Sequence, residues 1–129
     1  MADSNPVATF TYLAAQLDAL GLGYLHVYEP VGIAADARIA GILRKTFRGA
    51  LIVNGGYDRR AGNDIIAAGG ADLVAFGAPF LANPDLPQRL RENVALNAPD
   101  VATFFAGEEK GYTDYPTRHA ARVVAPVAA

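Results

Sequence analysis

The chain has 129 residues, of which 52% are hydrophobic and 19% charged, with a formal net charge of −2. That composition is globular, and it leaves no basic excess for neutralising a phosphodiester backbone. The absence of cysteine excludes disulfides, thiolate nucleophiles and cysteine-ligated zinc or iron–sulfur sites. His26 and His119 share no metal-ligand spacing. The N-terminus MADSNP lacks the apolar core of a signal peptide, and no apolar run approaches a membrane span. The expectation is a soluble, cytoplasmic protein in a single domain over residues 1–129, with 117–129 as a frayed tail.

Asn5-Pro6 reads as a helix cap with proline at the first helical position. Phe10, Leu13, Ala14, Leu17 and Leu20 follow at helical spacing, and Gly21 and Gly23 stop the helix. Leu22–Tyr28 is apolar on nearly every residue, as in a strand covered on both faces of a parallel sheet. After the loop Glu29-Pro30-Val31-Gly32, a second helix is predicted from about Ala35 to Phe47, with Ile39, Ile42, Leu43 and Phe47 on one face.

The strand Ala50–Asn54 comes next, followed by Gly55-Gly56-Tyr57-Asp58 and a short helix around Ala61–Ala68. Gly69-Gly70 ends that helix. Asp72–Phe76 is the third strand, closed by Gly77. Asn83-Pro84-Asp85 repeats the Asn-cap and proline signal and opens a helix through about Glu92. Asn97–Tyr115 reads as an aromatic-rich loop with one helical turn. Alternation of this kind means parallel α/β with right-handed crossovers.

Glycines at Gly55-Gly56 suit a strand–helix turn simply because the backbone needs positive φ there. They also suit a loop whose amides approach an anion with no Cβ in the way. Gly77 adds a second such turn after the next strand. In a parallel barrel, loops after two adjacent late strands form a recurrent phosphate site. Glu29 and Asp58 sit at strand ends, where catalytic carboxylates live in α/β folds, although caps and solvated groups are commoner there. His26 reads as a hydrogen-bonded core histidine, and Tyr112 and Tyr115 as loop packing.

The segments GLGYLHVYEP, LIVNGGYD, GADLVAFG, PFLANPDLPQRL, LNAPDVATFF and GYTDYP together resemble the C-terminal part of the Old Yellow Enzyme family. These are FMN-dependent ene-reductases on a TIM barrel, and the resemblance spans about Phe10 to Pro116. It implies a partial TIM barrel of about three parallel strand–helix units, the C-terminal three-eighths of eight. It implies that the loops at Asn54-Gly55-Gly56 and Phe76-Gly77-Ala78 hold the FMN phosphate, and that Phe104 and Phe105 lie near the flavin edge. NAD(P)H is implied as the reductant, and GYTDYP as the barrel's closing segment.

Three departures from the family pattern stand out. Ala78 occupies the position where the family usually has Arg, a bidentate partner for the phosphate. Losing that partner lowers FMN affinity by about 2–4 kcal/mol. Arg59 or Arg60 could compensate, against the simpler reading of a solvated helix start. Phe105 stands where a Tyr is common. The five earlier strands, which in the family carry the flavin-ring and substrate contacts, have no counterpart here. The expectation is therefore a segment that is not catalytic alone. The alternatives are one half of a split enzyme that needs a partner chain, or a non-catalytic α/β module that associates through its open sheet edges. An unrelated enzyme using Glu29, Asp58 or His26 has no specific support.

Overall fold

Asn5 starts the first helix as the sequence predicts: its side chain accepts the Ala8 N–H at 3.2 Å, ahead of α1 (Pro6–Ala19). In the computed structural model, residues 3–34, 37–105 and 108–118 are described, and His119 and the tail beyond it lie outside them. The chain divides into two compact units, Met1–Ala75 and Phe76–Ala129.

In the first unit, α1 is followed by β1 (Tyr24–Tyr28), α2 (Ala40–Thr46), β2 (Ala50–Asn54), α3 (Arg59–Ala67) and β3 (Leu73–Ala75). The three strands are parallel in the order β1-β2-β3. Tyr28 pairs with Asn54, and Asn54 pairs with Ala75, so the C-terminal ends of all three strands share one edge of the sheet. This is the edge from which strand–helix loops depart.

One face of the sheet carries the core. Leu25, Val27, Leu51, Val53 and Val74 project there, against Ala14 of α1 and Ala40, Leu43 and Phe47 in and after α2. Leu51, Val53 and Ala14 are completely buried. α1 contributes only a narrow stripe: Phe10, Ala14 and Leu17 turn inward, while Leu13 and Leu20 are exposed.

The other face is bare, which corrects the expectation of a doubly covered β1. Tyr24 and Tyr28 remain 61% and 67% exposed, and Leu73 on β3 is 54% exposed. His26 lies between the two tyrosines on this face and is exposed, so it is not a core histidine. An apolar run such as Leu22–Tyr28 does not say by itself which face of the strand a helix layer covers.

The predicted start of the second helix near Ala35 lies outside the described residues; α2 itself begins at Ala40 and has no cap of its own, since Ile39 precedes it without a side-chain hydrogen bond. The cap comes from a distant residue. The Glu29 carboxylate accepts the Ile39 N–H at 2.6 Å and the Ala40 N–H at 3.4 Å. Asp72 performs a similar service between strands, accepting the Leu51 N–H and an Arg44 N–H, each at 2.7 Å.

The second unit holds α4 (Ala78–Ala82), α5 (Leu86–Glu92) and a 3-10 turn at Val101–Thr103. Asn83 does not cap α5 as its sequence suggests. It is fully buried and bridges the chain: its amide donates to Pro79 O at 2.8 Å and Asn97 O at 3.2 Å, and its oxygen accepts the Asn97 N–H at 2.7 Å. Arg89 is also buried, bonding Asp85 at 2.7 Å, Ala95 O at 2.9 Å and Pro116 O at 3.2 Å. These two polar hubs hold the irregular segment after α5, where apolar periodicity gives no guide.

Candidate functional site

The site predicted from sequence consists of two loops and an aromatic pair. The first loop leaves β2 at Asn54. Gly55 has φ +113° and Gly56 φ +73°, both in the region that disfavours side chains. Gly55 is buried, and a Cβ there would lie 1.7 Å from the Glu29 carbonyl oxygen. The chain's own packing therefore demands this glycine. Gly56 is exposed, and a Cβ there would meet Val31 at 3.4 Å.

The elbow is tied to the end of β1. The Glu29 N–H donates to Asn54 O at 3.0 Å. The Glu29 side chain is 2% exposed and pairs with Arg38 at 3.4 Å. The same Arg38 nitrogen lies 3.4 Å from the Tyr57 hydroxyl, and the guanidinium carbon lies 5.2 Å from the centre of the Tyr57 ring. Sequence reading did not single out Arg38 or Tyr57. The available signal was a tyrosine directly after paired glycines, with an unmatched arginine near the start of a helix that has no cap.

Asp58 caps α3 by accepting the Ala61 N–H at 2.8 Å. Both strand-end carboxylates are thus engaged in capping, which is the bland alternative rather than the catalytic one. Arg59 and Arg60 begin α3 in solvent, and Arg60 lies 3.8 Å from Asp64.

The second loop, Phe76-Gly77-Ala78, opens the second unit. Gly77 has φ −88°, so the positive φ expected for it is not adopted. Among the described residues, no atom beyond its own chain neighbours lies within 4 Å of a Cβ built on Gly77, and α4 begins after it with no side-chain cap. No packing contact of the described residues requires a glycine here. Open space beside an uncapped amide is what a close-lying anion would need.

Phe104 and Phe105 meet edge to face with centroids 6.4 Å apart. Phe105 is 99% exposed. The Tyr115 hydroxyl accepts the Asp100 N–H at 2.7 Å, and the Tyr112 hydroxyl donates to Phe104 O, so both tyrosines serve loop packing. Among the described residues, no cluster of three or more metal-ligating side chains occurs, and no helix is long and apolar enough to cross a membrane.

Comparison with known proteins agrees with this architecture. A rice protein described as putative 12-oxophytodienoate reductase 2 (Oryza sativa subsp. japonica) is 47% identical over 121 residues, covering 88% of this chain and 32% of the relative. A tomato 12-oxophytodienoate reductase-like protein (Solanum lycopersicum) is 45% identical over 115 residues, with 88% and 32% covered. Among solved structures, morphinone reductase in complex with tetrahydroNAD superposes with a TM-score of 0.80 at 46% identity, covering 90% of this chain and 31% of that one. The old yellow enzyme from Trypanosoma cruzi gives a TM-score of 0.82 at 36% identity, covering 92% and 32%. The chain thus spans about a third of the length of the relatives it matches, and its three parallel strand–helix units are part of a TIM barrel. Residues 2–97 match the NADH:flavin oxidoreductase / NADH oxidase family, and the chain belongs to it.

Proposed function

We propose that this chain is the C-terminal segment of an FMN-dependent NAD(P)H oxidoreductase of ene-reductase type, carrying the loops that hold the FMN phosphate. The observation that carries this reading is the pairing of Asn54 with Ala75. It makes both glycine loops depart from the same end of the sheet, the end where parallel barrels place phosphate sites. The positive-φ glycines Gly55 and Gly56 let the backbone approach a phosphate with no side chain in the way. By resemblance to the family, Asn54, Gly55, Gly56, Gly77 and Ala78 would hold it, with Phe104 and Phe105 toward the flavin edge.

When bound, FMN supplies the hydride-transfer chemistry. The residues of this chain bind and orient its phosphate. None of the described residues forms an acid–base pair at the glycine loops, since Glu29 and Asp58 are both spent as caps. The segment therefore needs the other five β/α units of a barrel to act on a substrate.

A second reading is favoured by the bare sheet face with Tyr24, Tyr28 and Leu73. On that reading the chain is a non-catalytic module that associates through this face and its open edges. The two readings separate by amide chemical shifts. The first predicts that FMN moves the Gly55, Gly56 and Gly77 resonances and that riboflavin, which has no phosphate, does not. Equal shifts from both ligands, or none at those glycines, would contradict it.

A further inference from the structure

We infer that Glu29, Arg38 and Tyr57 are positioning residues for the Gly55–Gly56 elbow, fixing from outside it the direction in which its amides point. The inference rests on the phosphate reading and adds to it a set of residues that never touch the ligand.

Residue 29 grips the elbow at two levels. Its backbone bonds Asn54 O at 3.0 Å and abuts Gly55 so closely that no Cβ fits. Its buried carboxylate holds the first amides of α2 and the Arg38 guanidinium. Arg38 then reaches Tyr57, at the far side of the glycines, through the hydroxyl at 3.4 Å and the ring face at 5.2 Å. The segment Asn54–Tyr57 is therefore held at both ends by one chain of contacts. Capping α2 needs only the carboxylate and does not require the reach of Arg38 to Tyr57.

The cluster also settles the charge. A buried carboxylate beside an anion-binding loop would repel the anion. Here that charge is met by two backbone N–H groups and a guanidinium. Arg38 thus permits Glu29 to organise the elbow without spoiling its affinity for phosphate.

The test compares wild type with Arg38→Met, Arg38→Lys and Tyr57→Leu. Met preserves the packing of the stem and removes the guanidinium. Backbone amide order parameters without ligand, about 0.85 in rigid backbone, should fall below about 0.6 at Gly55, Gly56 and Tyr57 in R38M and Y57L, with Leu51–Val53 unchanged. R38K should recover part of the rigidity. Unchanged order parameters at the elbow would overturn the inference, and so would equal loosening of β2, which marks a merely structural role. FMN-induced shifts in the wild type are read separately. Their absence would remove the phosphate reading while leaving the positioning question decided by the order parameters.

Discussion

Glu29 and Gly55 meet backbone to backbone: a methyl group on Gly55 would fall 1.7 Å from the Glu29 carbonyl oxygen. That contact locks the exit of β2 against the exit of β1. It also separates the two glycine loops by cause, because one is required by packing and the other is not.

Gly55→Ala should therefore destabilise the fold by about 3 kcal/mol, combining a disfavoured φ with a backbone clash. Gly77→Ala should change stability by less than about 0.5 kcal/mol, as at an unobstructed surface position. Denaturant unfolding of the two variants checks the contrast. A large loss of stability in G77A would show that Gly77 serves packing after all. A stable G77A in which FMN no longer shifts the neighbouring amides would place the need for glycine in the ligand.

Ala78→Arg should restore the guanidinium usual in the family at the start of α4. A gain of about 2 kcal/mol, roughly 30-fold in affinity, is expected from a charge-assisted phosphate contact. Titration of flavin fluorescence against A78R and wild type under the same buffer gives the ratio. Equal affinities would mean that position 78 does not face the phosphate.

Much of this was legible in the sequence. Asn5-Pro6, the three apolar runs and the glycines gave α1, the parallel strands and the loop positions. What stayed hidden depends on contacts distant in sequence. Glu29 caps a helix ten residues away, so α2 carries no local start signal. Asn83 has the look of a cap yet is buried as a bridge to Asn97, a role set by the return of the chain after α5. Tyr24, His26 and Tyr28 read as core because a nearly continuous apolar run does not say which face of its strand a helix layer covers.

Asn83→Ala should cost about 2 kcal/mol, since Pro79 O and both backbone groups of Asn97 lose their partner in a buried setting. Thermal unfolding followed by circular dichroism measures it. A neutral result would mean that water replaces the bridge.

Asp72 sets a pH dependence. The Leu51 amide hydrogen bond, opposed by burial and aided by the Arg44 guanidinium, holds its carboxyl below the ordinary aspartate value of 3.8. Because the folded state binds this proton less readily than the unfolded state, the contribution is complete above that value and is lost as pH falls below it. The difference in Tm between wild type and Asp72→Asn should be constant near neutral pH and shrink below about 3.8. A gap that widens in acid would reverse the sign and refute the assignment.

Flavin content separates a phosphate-holding segment from a complete enzyme. The chain should be purified alone and after co-expression with a polypeptide carrying the first five β/α units of a family relative, and the bound FMN and ene-reductase activity measured in both. The prediction is a nearly colourless, inactive protein alone and stoichiometric flavin with activity in the complex. Full flavin occupancy and ene reduction by the chain alone would contradict it.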